Sequence, residues 1–549
     1  MPLHPSAIPP VPKDTARVAQ LSFPKGNRYL TLRDRVGVIF DDSDFRDLFS
    51  AYGQTGISPC QLALICIMQF LEDLTDRQAA EAVRSRIDWK YMLSLELSDS
   101  GFDYSVLSEF RLRLIEGNAE QRLLNLLLEE CKKQGWLKQR GKQRTDSTHV
   151  LAATRNLNRL ESVGETLRAA LNSIATVAPN WLKAWVPAEW FDRYSRAIEE
   201  YRLPKGIDAR KEYAEIIGTD GMCLLERIWD DATPHELQQL PTVEILRQTW
   251  VHQYQIVECQ VRLRSANNIP PAGQRMDSPY DPDARFGSKR STTWSGYKVH
   301  WTETCDDDNV HLITHVITTH GNETDFGETE QVHQALKEKG LLPAEHLVDT
   351  AYVSCSLMLE SKSVYGVDLV GPMRPNSSWR AKTPGAYDIN HFKINWKTKK
   401  VTCPQEKKSR SWTSGKDSAG KPVLHIKFST KDCRSCPARA LCTRCKTAPR
   451  HLMIRTKAEH ESLQAIRQEQ KTKEWKERYD KRAGIEGTLA RGIQVLGLRR
   501  TRYIGLAKTH LQHVLTAVAM NAARLVAWFN DEPLSKLRVS RFGALASQE

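Results

Sequence analysis

Lys142-Gln-Arg-Thr-Asp146-Ser-Thr-His-Val-Leu151 and Glu345-His-Leu-Val-Asp349-Thr-Ala-Tyr352 are the two stretches on which the fold turns. The first is short and β-prone, so a strand with a carboxylate in its middle is expected; in the second an apolar pair runs straight into another carboxylate. Working outward, strand patterns recur in Tyr297-Lys-Val-His-Trp-Thr302, Leu312-Ile-Thr-His-Val-Ile317 and Val367-Asp-Leu-Val-Gly371, with a helical segment near Glu328 to Lys339 and another after Tyr352. Strands alternating with helices predict an α/β fold, a sheet covered by helices.

The flanks read differently. Residues 1–135 are expected to form an N-terminal all-α domain: Cys60 to Phe70 is a buried helical run, Thr75 can cap a helix beginning at Asp76, and Leu123 to Cys131 leads into a turn at Gly135. Residues 136–395 carry the first part of the core. They are interrupted at about 157–265 by a helical insertion with Trp181, Trp185 and Trp190 as core anchors, and by a Pro/Gly-rich link at Pro270 to Gly273. Residues 396–450 form a cysteine-rich basic module, and 451–549 the C-terminal helical part of the core. In that last part Leu511, Val514, Leu515, Val518, Ala522, Leu525, Val526 and Phe529 make one apolar helix face. The chain has no internal repeat.

At 549 residues the chain exceeds one hydrophobic core, and its 26% charged and 40% hydrophobic residues are those of a globular protein rather than a fibrous or disordered one. Its net charge of +13 is unevenly placed. Residues 401–549 hold 30 Lys and Arg against 13 Asp and Glu, whereas the first 400 hold 49 against 53. A basic excess confined to the last quarter is the footprint of a polyanion partner. Met1 to Gln20 is proline-studded and lacks the apolar core of a secretory signal, and Leu511 to Phe529 carries His513, Asn521 and Arg524, which argues against a membrane span. A cytoplasmic protein is expected.

Seven cysteines stand singly in the first 355 residues and five fall within Cys403 to Cys445. Cys403 with Cys433, Cys436 and Cys442, or Cys445 in place of one, have the spacing of a tetrahedral structural zinc site; reduced cysteines in a loop are the alternative. Lys407, Lys408, Arg410, Lys416, Lys421, Lys427 and Lys431 around them point to a DNA-contacting surface.

The most specific signal is Tyr479-Asp-Lys-Arg482-Ala-Gly-Ile-Glu486, whose Tyr, Arg and Glu fall on one side of a helix. Here the chain resembles the bacterial insertion-sequence transposases of the DDE type marked by a tyrosine-arginine-glutamate-lysine signature. The resemblance extends through Leu74-Thr-Asp-Arg-Gln78, Phe110-Arg-Leu-Arg113, Thr145-Asp-Ser147, Trp294-Ser-Gly-Tyr-Lys298, Val348-Asp-Thr-Ala-Tyr352, Leu498-Arg-Arg-Thr-Arg-Tyr503 and Leu506-Ala-Lys508-Thr-His-Leu511. It implies a ribonuclease H-like core in which Asp146, Asp349 and Glu486 are catalytic and hold two Mg²⁺ or Mn²⁺ ions. It also implies that Tyr479 and Arg482 contact DNA, that the substrates are terminal inverted repeats and target DNA bound by a homodimer, and that the protein works at the bacterial nucleoid. One position departs: the signature lysine, seven residues after the glutamate, is Ile493, leaving Arg491 or Lys508 to supply that charge.

The chemistry stands without the family. Breaking a phosphodiester calls for activation of the attacking oxygen and stabilisation of the leaving one, which two ions about 3.5–4 Å apart provide. Carboxylates are the hard ligands that Mg²⁺ prefers, and three of them brought together without a cation would repel one another. Two other readings compete: a nuclease of the same fold that does not transfer strands, and a zinc-containing DNA-binding protein whose catalytic centre has decayed.

Overall fold

The computed structural model describes residues 8–50, 56–155, 157–271, 274–418 and 420–532. Ala272 and Gly273 of the expected link, the first seven residues and the chain beyond 532 lie outside these. The chain divides into two compact units, one of residues 1–138, 146–324 and 485–549, the other of residues 139–145 and 325–484. Strand β1 (Lys142–Leu151) is shared along the chain, its first four residues in the second unit and the rest in the first.

In the first unit, helices Arg159–Val177, Ile207–Ile228 and Pro241–Gln253 close around Leu167, Ile174, Trp190, Ile217, Leu224 and Trp250, followed by a hairpin of β2 (Tyr254–Val257) and β3 (Gln260–Leu263). Of the three tryptophans expected as anchors, Trp190 is buried, while Trp181 and Trp185 lie half-buried at the rim. They form an edge-to-face chain with centroids 5.4 and 5.7 Å apart, because indoles too large to be enclosed together still gain from ring contact.

Strands β4 (Arg285–Lys289), β5 (Thr292–Thr304) and β6 (Ile313–His320) form an antiparallel meander, and β5 also neighbours β1. Gly296 of the Trp294–Lys298 motif makes that approach possible. Its φ is +149°, and a Cβ there would stand 2.2 Å from the Val150 carbonyl oxygen.

The final helix, Leu506–Phe529, packs on β6 and on helices Arg28–Val36, Pro59–Leu71 and Arg122–Lys133 of the N-terminal region. Helix Pro59–Leu71 is buried on almost every face, as its unbroken apolar run demands, and the next helix, Asp76–Ser85, starts with a capping box between Thr75 and Gln78. Three polar residues of the final helix tie it to the sheet. Asn521 accepts from the Ile313 amide (2.7 Å) and donates to its carbonyl (2.8 Å), His513 pairs with Thr318 (2.7 Å), and Arg524 donates to Glu303 (2.7 Å). Among the described residues no helix is long and apolar enough to cross a membrane.

In the second unit, residues 142–145 run parallel to β7 (Glu345–Val348), and β7 parallel to β8 (Asp368–Val370). Helix Cys355–Tyr365 packs on β8 and on helix Glu328–Glu338. Strands β9 (Lys393–Asn395) and β10 (Lys400–Thr402) pair antiparallel. With the sheet of β11 (Ser411–Lys416), β12 (Pro422–Lys427) and β13 (His451–Ile454) they enclose a small core of Phe392, Val401, Ile426, Phe428, Leu452 and Ile454. Helices Lys457–Glu469 and Lys473–Asp480 complete the unit. The fold is mixed α/β and compatible with the ribonuclease H-like core expected.

Gly296→Ala should lower stability by roughly 2–3 kcal/mol, since the added methyl must push two backbones apart. The measurement is the urea unfolding midpoint; a midpoint equal to that of the parent protein would show that β5 and β1 have room to spare.

Candidate active site

Strand β1 alternates in what its side chains reach. Gln143 donates to the Leu341 carbonyl (2.8 Å), and the Thr145 hydroxyl meets His346 Nε2 (2.7 Å), whose Nδ1 meets His333 Nε2 (2.9 Å). Arg144, between them and 6% exposed, points the other way and donates from Nη1 to the Lys481 carbonyl (2.5 Å). The two-residue period of a strand puts Asp146 on the Arg144 side.

The parallel register of β1 with β7 ends at Thr145↔Val348, and the next residue along the chain is an aspartate in each case, Asp146 and Asp349. Both are half-buried. Each has turned one carboxylate oxygen onto the amide that follows, Asp146 onto Ser147 (2.8 Å) and Asp349 onto Thr350 (2.6 Å). Asp349 lies one residue beyond β7 and caps the short 3₁₀ turn Thr350–Tyr352, which fixes its backbone where the strand stops.

The signature residues do not share one unbroken α-helix. Tyr479 closes helix Lys473–Asp480, Arg482 sits in the 3₁₀ turn Lys481–Ala483, and Glu486 opens helix Gly484–Val495. The tight turn falls where Arg144 takes the Lys481 carbonyl. Gly484 lies against the same guanidinium, where a Cβ would stand 2.1 Å from Nη1. Glu486 is exposed in the first turn of its helix, where the N-terminal dipole favours a carboxylate. Two residues on, the Thr488 hydroxyl donates to Glu303 (2.8 Å), a wholly buried carboxylate that also receives Arg524. Tyr479 stacks on Trp475 (centroids 4.9 Å, planes 16° apart), and the Arg482 guanidinium stands 5.8 Å from the Tyr479 ring centre. Arg491 and Lys508 are exposed, and Ile493 is half-buried.

Sequence reasoning missed Arg144, Glu303, the His333–His346 pair and Trp475. A signal existed for two of them. Arg144 falls two residues before Asp146, on the same strand face, and Trp475 falls four before Tyr479, on the same helix face. Nothing marks Glu303 as buried, because its partners lie far along the chain.

Cys403, Cys433, Cys436 and Cys442 line one cavity of about 210 Å³ together with Arg439, Arg450 and Phe392; Cys445 is exposed and not part of it. The Sγ of Cys403 accepts from the Lys407 amide (3.4 Å) and that of Cys433 from the Arg450 amide (3.5 Å). Among the described residues, however, no group of three or more His, Cys, Asp or Glu side chains is set to hold a metal ion. The thiols share a cavity whose walls include aromatic and guanidinium groups. For the carboxylates the same finding means that the fit to Mg²⁺ rests on donor chemistry and strand register.

The chain matches two protein-family models, the Transposase domain (DUF772) over residues 19–113 and the Transposase DDE domain over residues 402–526. None of the curated proteins matches it. The first match covers the N-terminal helices; the second takes in the cysteine module, Glu486 and the final helix, while Asp146 and Asp349 precede it. The two together mark a transposase, a protein that moves mobile DNA elements. More narrowly, they indicate an insertion-sequence transposase of the DDE type, as the tyrosine-arginine-glutamate signature implied.

The buried histidines behind β1 give this region a pH dependence. Burial lowers His333 to about 4, and holds His346 well below the ordinary imidazole range. Both groups are therefore neutral in the fold, and their contribution to stability is present above pH 6.5 and lost as the pH falls toward 4. For His333 alone the loss approaches roughly 3 kcal/mol. Unfolding midpoints measured from pH 7 to pH 4 should drop, and drop less in His333→Gln; equal slopes in the two proteins would refute the assignment.

Proposed function

We propose that Asp146, Asp349 and Glu486 are the metal-binding carboxylates with which this transposase hydrolyses the phosphodiester at an element end and then joins the freed 3′-hydroxyl to target DNA. The observation that carries the reading is the register of β1 on β7, which makes the two aspartates the next residues after the same registered pair, Thr145↔Val348. Glu486 is tied in by sequence adjacency, two residues beyond Gly484, which rests on the side chain two residues before Asp146.

Asp146, Asp349 and Glu486 would hold two Mg²⁺ or Mn²⁺ ions, which when bound would supply Lewis-acid stabilisation for the attacking and the leaving oxygen. The protein's own share is positional. Asp146 stands on β1 and Asp349 just beyond the end of β7, with one oxygen of each occupied by a backbone amide, so the carboxylate cannot swing freely. Tyr479 and Arg482 grip the phosphate beside the scissile bond, the planar guanidinium matching two phosphate oxygens. Arg491 and Lys508, both exposed, contact the DNA backbone farther out, and the basic module of residues 396–450 adds salt-sensitive affinity. Element ends are paired by a homodimer, and the N-terminal helices read those ends.

Asp146→Asn, Asp349→Asn and Glu486→Gln should each slow end cleavage on the order of 10³-fold while leaving DNA binding within a few-fold, because charge is removed and shape kept. The assay incubates purified protein with a labelled element end, a target plasmid and Mg²⁺, and scores cleaved and joined products separately. Joined products with the parent protein support transposition, hydrolysed ends alone identify a nuclease, and undiminished processing by all three variants excludes this triad.

A further inference from the structure

Arg144 carries a cation into a nearly closed environment, 6% exposed, although a strand core seldom accepts an unsupported charge. Its Nη1 donates to the carbonyl of Lys481, the first residue of the turn between the two signature helices. The guanidinium face is covered by Gly484, where a Cβ would stand 2.1 Å from Nη1, 2.4 Å from Cζ and 2.5 Å from Nη2. A side chain at 484 cannot coexist with the arginine where it lies. The same turn is held from the other side: Arg478, three residues before Lys481, donates to Glu345 (2.5 Å) on β7 and pairs with Asp368 on β8, and these two acids are registered opposite each other. Two arginines thus clamp the segment against β1, β7 and β8. The path from the clamp to the proposed carboxylates is short, two residues from Arg144 to Asp146 and two from Gly484 to Glu486.

We propose that Arg144 is a positioning residue that sets Glu486 relative to Asp146 by anchoring the 481–484 turn on β1, and so tunes the affinity of the site for its metal ions. The proposal rests on the reading of Asp146, Asp349 and Glu486 given above. The effect of Arg144 passes through the Lys481 carbonyl and the flat contact with Gly484. Lysine at 144 could still reach the carbonyl but offers no plane for Gly484, and methionine offers neither.

The test measures end cleavage against Mg²⁺ and DNA concentration, and Mn²⁺ binding to the protein alone by calorimetry, for Arg144→Met, Arg144→Lys, Gly484→Ala and the Arg144→Met/Gly484→Ala double variant, with Glu486→Gln as control and thermal unfolding as the check on folding; Mn²⁺ binding by Arg144→Met equal to that of the parent overturns the proposal. Arg144→Met is expected to lower kcat 10- to 100-fold and raise the half-saturating Mg²⁺ concentration several-fold, with KM for DNA little changed; Arg144→Lys recovers part of both. Gly484→Ala should be defective alone yet add nothing in the Arg144→Met background, since the group it collides with is gone. A folded Arg144→Met with the parent kcat and Mg²⁺ requirement overturns the proposal, as do losses that multiply in the double variant. If Arg144→Met fails to fold, Arg144→Lys and Gly484→Ala decide: an unchanged Mg²⁺ requirement in both overturns it. Should Glu486→Gln itself remain active, the triad reading falls; should it be dead while Arg144→Met behaves as the parent, only the positioning role falls.

Discussion

Parallel pairing of residues 142–145 with 345–348 is the constraint from which the rest of the structure takes its order. A parallel pair leaves no freedom in which residues lie level, because shifting one strand by a single position turns its whole apolar set to the wrong face. Here the register is specified from within. Leu347 and Val348 are fully buried, and the Thr145–His346–His333 hydrogen-bond chain crosses the pair at the level of its last residues. A slip would strand two imidazoles and a hydroxyl without partners, at a cost of about 1–3 kcal/mol for each. Asp146 and Asp349 are the residues that follow the last registered pair, Thr145↔Val348, along the chain.

Buried charge does for the helices what register does for the strands. Glu303, wholly enclosed on β5, takes a hydrogen bond from Thr488 and an ion pair from Arg524, so that the helix of Glu486 and the final helix are tied to the same point. Such a pair gives little net stability, since the desolvation of both charges offsets most of their attraction, but it is unforgiving of displacement. Apolar packing alone would let a helix slide by a fraction of a turn at small cost. A buried carboxylate with two donors does not, and the residues on that helix are held to one position along it.

How much of this was legible in the sequence follows the range of the interaction concerned. The strand of Asp146 was readable over its full length, Lys142–Leu151, and helix Glu328–Glu338 to within a residue, because periodicity and β-branching act over a few neighbours. The Thr75 cap was readable for the same reason. Trp181 and Trp185 read as core anchors in the sequence and lie at the rim of the core, since composition fixes how apolar a residue is but not how much room its neighbours leave. The break at Lys481–Ala483 was invisible: the spacing of Tyr479, Arg482 and Glu486 suits one α-helix, and what bends it is an arginine 337 positions earlier. The cysteine grouping was legible, and four of the five thiols do line one cavity, but the aromatic and guanidinium walls of that cavity come from residues that cysteine spacing does not report.

Ile493 can be judged on the same geometric footing. On an α-helix, seven residues return to within about 20° of the starting direction and five leave a residue about 140° away. Ile493 therefore shares the face of Glu486, and Arg491 looks away from it. A charge lost at position 493 cannot be supplied by Arg491 without rotating the helix, which the Thr488–Glu303 bond resists. Lys508 stands in the first turn of the final helix, on a different element altogether. In the function proposed above, the phosphate grip nearest the carboxylates falls to Arg482 and to Tyr479, which is stacked on Trp475 in the absence of DNA. Ordering in advance reduces the entropy that binding must supply, so a preformed aromatic and guanidinium patch is a physical substitute for the flexible lysine that this chain lacks.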